Sequence, residues 1–312
     1  MKNHLLAALL PVLSLSAGAQ APPVEPPAAF QTPALLIEKE GAFQKVWLVA
    51  ATKTSIRYRE REVAVDTVDG RISQYDSIYL FEPREYSVAM DLYQARKYEE
   101  AKEKFIALKE RFKPIQAMEN NPASLAAFYE MECLRKLGDL EGLAAALQKF
   151  VKDPLTRETQ LRQLEIYVLW DAVRTKSWDR LNIMANERTT TRLAGDQRVQ
   201  VAYCHGLALE GLNRPADALI AYQTAITADA GASEELVRLA ALRVLAIHHA
   251  DPEVQNAIKF LGTKDENKNS KGYANLLEAA AVAELFELSL GAGTPLPAEF
   301  KGYLKYKPKT DG

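Results

Sequence analysis

The chain has 312 residues, of which 48% are hydrophobic and 26% are charged, the balance of an ordinary folded protein. Its formal net charge is −2 with both signs scattered along the sequence, so it lacks the excess of Lys and Arg that a nucleic-acid-binding face requires. We therefore expect no nucleic-acid partner.

Residues 1–19 have the pattern of a secretory signal peptide. A polar start with Lys2 precedes an apolar run at 5–15, and Ala17-Gly18-Ala19 supplies the small residues of a cleavage site. As a helix this run rises only about 16 Å, against about 30 Å for a bilayer core, which favours a cleaved signal over a membrane anchor. We expect a periplasmic or secreted protein without a membrane span. The lack of Asn-x-Ser/Thr sites favours a bacterial source.

Residues 20–33 are predicted to form a linker, and residues 34–82 a small β module. The linker is rich in Pro and Ala, which favours extended polyproline conformations over a packed core. In the module, short β-rich runs such as Val46-Trp47-Leu48-Val49 are separated by turn residues, among them Asp69-Gly70. Four or five strands of this size resemble an SH3-like or Sm-like half-barrel.

One strand of this module carries a candidate binding feature. Arg57, Arg59 and Arg61 fall on one face because side chains alternate along a strand. Three guanidinium groups in a row could grip an acidic partner or a phosphate. The alternative is a solvated strand face that neighbouring carboxylates partly neutralise.

From residue 83 to residue 304 the hydrophobic period is helical, and a polar tail follows at 305–312. At 199–225 two helices are predicted around a turn, with Pro215 at the first position of the second helix. The small and aromatic residues of this unit are Gly206, Ala218, Tyr222 and Ala225. Their spacing resembles that of the tetratricopeptide repeat, in which small residues let paired helices approach closely and an aromatic ring fills the gap.

Further units follow the same register. The equivalent positions are Ala101, Leu143, Leu181 and Ala218, at intervals of 42, 38 and 37 residues. These intervals exceed the roughly 34 residues of the tetratricopeptide repeat, which leaves a related helical-hairpin array open. The resemblance implies a mainly α fold, an antiparallel helical-hairpin solenoid preceded by the small β module. Each hairpin has one apolar face that only a stacked neighbour can bury.

Sequence patterns of catalysis and metal binding are lacking. We find no nucleophile elbow, phosphate loop, dinucleotide fingerprint or zinc-protease motif. His248 and His249 are about 100° apart on one predicted helix, so we interpret them as a surface pair and not as a zinc site. A loop starting at Asp265 begins like a calcium loop but has Ser270 in place of the required Gly and Leu276 in place of the required Glu. We expect no enzyme activity, cofactor or metal.

The two cysteines, Cys133 and Cys204, allow one disulfide in an oxidising compartment. Each lies among apolar residues of a predicted helix, which favours two buried thiols instead.

In a tetratricopeptide array, the first helix of each hairpin lines a concave groove that binds proteins or peptides. Aromatic residues interspersed with Arg and Glu have the composition of such a surface. The residues that this register places in the groove are Tyr86, Tyr93, Phe128, Glu132, Arg135, Trp170, Arg174, Tyr203 and Glu210. The same spacing would also place the aromatic residues in the core between repeats, and the sequence leaves both outcomes open.

We therefore predict an exported, non-catalytic scaffold that binds a protein, a peptide or another copy of itself through this groove. The alternative is an exported hydrolase or glycan-binding protein built on a helical array with aromatic platforms. A third interpretation makes the β module the working part and the helices its support.

Overall fold

The computed structural model of the chain describes residues 30–228, 231, 233–291 and 293–306. The predicted signal peptide, most of the predicted linker and most of the polar tail lie outside the described residues. The described fold is mainly α, with a small antiparallel sheet before the helices, which confirms the predicted fold class.

Five strands form the sheet. They are β1 (Thr32–Glu38), β2 (Phe43–Ala51), β3 (Ser55–Arg59), β4 (Val68–Arg71) and β5 (Tyr75–Leu80), with a short 3₁₀ turn at Ile72–Gln74 between the last two. Their order across the sheet is β4-β3-β2-β1-β5, so β4 and β5 are the edges. Burial alternates along β1, β2 and β3, as it does in a sheet that packs on one face only.

Eleven α-helices follow in the described part of the chain. They are α1 (Arg84–Gln94), α2 (Tyr98–Arg111), α3 (Pro122–Leu137), α4 (Leu140–Lys149), α5 (Glu158–Arg174), α6 (Trp178–Thr189), α7 (Gly195–Gly211), α8 (Pro215–Ala228), α9 (Glu234–Ala250), α10 (Pro252–Phe260) and α11 (Lys271–Leu285). The first eight pair in sequence order as four helical hairpins. None of the described helices is both long enough and apolar enough to cross a membrane.

The four hairpins share one turn geometry. The turns place Arg96, Gly138, Lys176 and Asn213 at positive φ angles of 62°, 74°, 51° and 58°. In each turn, the N–H of the next residue donates to the carbonyl five residues earlier, over 2.8 or 2.9 Å. This is the Schellman ending of a helix, in which a left-handed residue reverses the chain and satisfies a terminal carbonyl.

A buried side chain follows each turn at a constant interval. Five positions after the left-handed residue stand Ala101, Leu143, Leu181 and Ala218, each at most 2% exposed. These are the positions that the sequence register made equivalent. The unequal intervals between repeats therefore arise in the second helices and in the loops that follow them.

In the fourth hairpin the two helices approach closely at a glycine. Gly206 of α7 faces the ring of the fully buried Tyr222 of α8, and a Cβ at Gly206 would lie 2.4 Å from the Tyr222 Cε1 atom. Because real Cβ contacts are never this short, the absence of a side chain at Gly206 is what lets the Tyr222 ring fill the gap.

The sheet and the first hairpin share one hydrophobic core. Leu36, Leu48 and Ile56 from the buried face of the sheet pack in the same cluster as Phe105 and Phe112 of the α2 region. An ion pair of 2.6 Å between Lys53 and Asp153 also links the β2–β3 turn to the segment after α4. The β module therefore packs against the helical array and is not an independent domain.

The C-terminal end of the stack is closed differently. The turn between α9 and α10 has Asp251 in an extended conformation followed by Pro252, and so does not repeat the left-handed turn. Beyond α11, the buried residues Leu296, Phe300 and Tyr303 pack in one cluster with residues of α9 and α11. This segment covers apolar surface that the last helices would otherwise expose, as a solenoid cap does.

We predict that Gly206→Ala lowers the free energy of unfolding by about 1–3 kcal/mol, the usual cost of an overpacked core. The new methyl group would force the Tyr222 ring out of its position between α7 and α8. Urea unfolding followed by circular dichroism measures the change. Gly302→Ala is the matched control, because a Cβ there meets no atom within 4 Å. Equal stability of the two variants would contradict the close-contact role of Gly206.

Candidate protein-binding surface

The nine residues that the sequence places in the groove lie on α1, α3, α5 and α7, the first helices of the four hairpins. Five of them are less than a tenth exposed, namely Phe128, Glu132, Arg135, Trp170 and Tyr203. Four are half-buried, namely Tyr86, Tyr93, Arg174 and Glu210. A partner that docks without opening the stack can therefore contact only the second group.

The buried aromatic residues pack between helices. The Phe128 ring lies 6.4 Å from that of Tyr167, and the Trp170 ring lies 6.1 Å from that of Tyr203. The indole N–H of Trp170 donates to Oε1 of Gln200 over 3.0 Å, which satisfies the only polar atom of that side chain. The spacing left open whether these aromatic residues line a groove or pack in the core between repeats, and in the structure they pack in the core.

The structure brings Tyr93, Glu132 and Arg135 together, as the groove register predicts, but in a buried network. Arg135 donates from a guanidinium N–H to Oε2 of Glu132 over 3.2 Å, and the Tyr93 hydroxyl donates to the same oxygen over 3.3 Å. The Tyr167 hydroxyl donates to the other oxygen, Oε1. Three helices thus converge on one carboxylate. Such a buried charge is tolerated because every oxygen has a donor.

The same network reaches across to α9. Glu235, in the first turn of α9, accepts from both Arg135 and Lys136 of α3. Beside it, Glu234 forms an ion pair of 2.8 Å with Arg96 in the turn after α1. The N-terminal turn of α9 is therefore held against the first two hairpins, about a hundred residues earlier in the chain.

The charge network, defined as Tyr93, Glu132, Arg135, Lys136, Tyr167 and Glu235, is only partly readable in the sequence. Lys136, Tyr167 and Glu235 are not among the nine residues that the sequence places in the groove. The sequence pattern around Tyr167 is that of a buried position of α5. No local pattern indicates that Glu235 contacts α3. A buried ion pair across such a separation has no signal in a single sequence.

Burial and charge oppose each other at the two carboxyl groups. Burial by itself raises the pKa of Glu132, but the charge of Arg135 and the hydrogen bond from Tyr167 hold this pKa below its ordinary value. In Glu235 the charge and hydrogen bond of Lys136 likewise overcome burial and lower the pKa. Burial and the nearby Glu132 raise the pKa of Tyr93 and Tyr167, so both hydroxyl groups stay protonated and donate.

Two ion-pair groups remain accessible beside this network. Arg174 at the end of α5 donates to Asp171 over 2.8 Å and to Glu141 of α4 over 3.1 Å. Glu210 of α7 accepts from Arg243 of α9 and, over 2.7 Å, from the Tyr222 hydroxyl. Arg174 and Glu210 are thus the charged groove residues that a partner can reach.

A cleft of about 500 Å³ lies between α6, α7 and α8. His205 and Asn182 line it, joined by a hydrogen bond of 3.1 Å, and burial followed by the charge of Arg214 lowers the pKa of His205. Arg214 is paired with Asp217 at 2.8 Å. The cleft thus offers a neutral imidazole and an already neutralised cation, which does not favour a charged ligand.

The remaining chemical candidates are structural. Cys133 and Cys204 are buried and unpaired in the described chain, and burial raises the pKa of Cys133 to about 12, which makes it an unreactive thiol. His249 is exposed as predicted, but His248 is fully buried, which corrects its interpretation as a surface residue. Its Nε2 lies 3.5 Å from a carboxylate oxygen of Glu278 on α11. The described residues contain no group of three His, Cys, Asp or Glu side chains that could hold a metal ion.

We predict that Arg135→Ala destabilises the protein by about 3–5 kcal/mol, because it leaves the Glu132 and Glu235 carboxylates without their shared cation in a buried site. Urea unfolding measures the loss. Lys53→Ala is the control, since the Lys53–Asp153 pair is exposed and its removal should change stability little. Similar values for the two variants would show that the charge network does not hold α9.

We predict that acid weakens the fold through the same carboxyl groups. Their pKa values are lowered in the folded state, so the stability that they contribute is present above the unfolded pKa of about 4.3 and is lost as pH falls through the folded pKa. The free energy of unfolding should therefore fall steadily as the pH is lowered below about 5. The slope should be shallower in Glu235→Gln, which has one such carboxyl fewer, than in the exposed control Glu103→Gln. Identical slopes in the two variants would show that the Glu235 carboxyl does not contribute to the pH dependence of stability.

The chain matches no protein-family model, no curated protein and no solved structure in the comparisons made with each.

Proposed function

We propose that the chain is an exported, non-catalytic scaffold that binds a protein or peptide partner. The supporting observation is the repeat of one hairpin geometry four times in succession, with the same left-handed turn and the same buried position after it. Stacked hairpins present equivalent positions of successive helices side by side, which creates a long and rigid surface suited to another polypeptide.

We assign the hairpins to the tetratricopeptide type. The contact of Gly206 with the Tyr222 ring, together with buried Ala218 and Ala225, is the packing that this repeat uses between its two helices. The second and third hairpins depart from it, because Leu143 and Leu181 stand where the first and fourth have Ala.

The β module is assigned to the SH3-like type. Its strand order β4-β3-β2-β1-β5 supports this, as does the 3₁₀ turn at Ile72–Gln74 between β4 and β5. SH3-like modules are binding modules in many proteins, so this assignment agrees with a scaffold.

Within the array, the accessible charged groups are the proposed contact points. Arg174 with its acidic neighbours lies near the end of α5, and Glu210 lies near the end of α7, each close to the shared turn of its hairpin. Arg243 of α9 pairs with Glu210. The alternative of a glycan-binding array needs an exposed aromatic platform. Trp170 cannot supply one, because it is 6% exposed and its indole N–H is engaged by Gln200.

Export rests on the sequence pattern of residues 1–19. A periplasmic or secreted location is part of the proposal. In protein purified from its native source, the first residue should then be Gln20.

We predict that the mature chain, residues 20–312, captures a specific protein from its own envelope extract under mild crosslinking. Arg174→Ala combined with Arg243→Ala should reduce that capture severalfold, because these side chains are partly exposed and lie on the array surface. Capture is read by mass spectrometry of the crosslinked bands.

The matched control is Arg180→Ala combined with Lys104→Ala, which removes two exposed cations elsewhere on the helices. All forms must show equal helical content. Equal loss in both double variants would place the site away from these charges. A chain that recovers no specific protein in any form would defeat the scaffold proposal itself.

A further inference from the structure

The outward face of the sheet carries exposed apolar residues. The pairing register directs Leu35 and Ile37 of β1, Phe43, Lys45 and Trp47 of β2, Arg57 and Arg59 of β3, Asp69 and Arg71 of β4, and Tyr79 of β5 to this side. The opposite side of the sheet is buried against the first hairpin. Phe43 is 75% exposed and Tyr79 is 55% exposed, so the described residues leave these two rings largely uncovered.

This face divides into two halves. In the apolar half, Tyr79 of the edge strand stands opposite Leu35, and Ile37 stands opposite Phe43. The Tyr79 ring also lies edge-to-face against Phe81, with 5.4 Å between the centroids. The register places these apolar residues side by side, and a contiguous exposed apolar patch marks an interaction site.

The other half is cationic. Lys45 lies over the Trp47 ring at 5.2 Å, and Trp47 stands opposite Arg59. Arg57 is paired with Asp69 at 2.8 Å. From β2 to β4 the outward residues are thus four cations, counting Arg71, against the single carboxylate of Asp69. The face carries an excess of positive charge although the whole chain has a net charge of −2.

We propose that this outward face binds an extended, acidic segment of a partner protein, lying across the strands with an apolar or aromatic anchor at one end. This inference rests on the proposed binding function and assigns it to the β module. From β5 to β3 there are three strand spacings, about 14 Å. An extended chain covers that distance in about four residues. The segment therefore carries its anchor about four residues from its carboxylates.

The partner is a polypeptide and not an anionic membrane surface. The β1–β2 turn beside Phe43 carries Glu38, Lys39 and Glu40, all exposed, and so has a net charge of −1. These carboxylates would be repelled by anionic headgroups if the aromatic rings entered a bilayer. A peptide avoids this repulsion, because it places its apolar anchor beside the turn and its acidic residues over Lys45 and Arg59.

The test uses a displayed library of random peptides of about twelve residues, selected on the immobilised full mature chain. The expected result is enrichment of peptides that have an aromatic or aliphatic residue about four positions from Asp or Glu. The most enriched peptide is then titrated by fluorescence anisotropy. Its affinity should fall about fivefold or more in Phe43→Ser and in Lys45→Glu, and should weaken as salt is added.

Matched controls are Ile220→Ser and Lys104→Glu, which change one exposed apolar residue and one exposed Lys on the helices. Both should leave the affinity unchanged. Equal affinity in all four variants, or selection of peptides without acidic residues, would overturn the proposal. So would binding to vesicles containing anionic phospholipid that Phe43→Ser and Lys45→Glu abolish, since a membrane would then be the partner.

The envelope capture separates this inference from the scaffold function. Loss of the captured protein in Phe43→Ser and Lys45→Glu, but not in their controls, supports both. If these variants capture it as well as the original chain does, the sheet face is not the site while the scaffold function stands.

Discussion

The fold depends on the way each helical hairpin turns. A left-handed residue ends the first helix, and the N–H that follows it satisfies a carbonyl five residues back, so the second helix starts in a fixed direction. Only one of these residues, Gly138, is free of the Cβ penalty of that conformation. Arg96, Lys176 and Asn213 adopt it despite this penalty, and in each hairpin the residue five positions later is buried. The turn therefore sets how the two helices of each hairpin are oriented when the hairpins stack.

Stacking alone would leave the first helices side by side along an open surface. The charge network instead joins several of these helices to one another and to α9. Glu132 collects hydrogen bonds from α1, α3 and α5, while Arg135 connects it to Glu235 of α9. Removing one partner of a buried ion pair lowers the free energy of unfolding strongly, so the network stabilises the contact between distant parts of the chain. The network also accounts for the burial of Glu132 and Arg135. Phe128, Trp170 and Tyr203 are buried by packing between helices instead. The reachable polar groups lie next to the network.

The sheet contributes a surface of a different kind. One side is buried in the core that the sheet shares with α2, and the other side exposes aromatic rings and cations. Because the sheet packs on the first hairpin, a partner on its outer face would be held rigidly relative to the array. The two candidate surfaces, one on the hairpins and one on the sheet, thus belong to a single body, and a partner could use either or both.

The sequence by itself determined the order of the elements, the hairpin register and the small contact position at Gly206, because these follow from periodicity, turn residues and local spacing. It also identified Tyr93, Glu132 and Arg135 as residues of one face. It could not decide whether Phe128, Trp170 and Tyr203 line a groove or fill a core, since helical spacing is the same in both cases. Only the tertiary structure decided that question, together with the burial of His248, the contact between Arg135 and Glu235, and the packing of the sheet on α2. Each of these depends on how segments far apart in the chain meet, and a buried charge or ring has no counterpart in local sequence pattern.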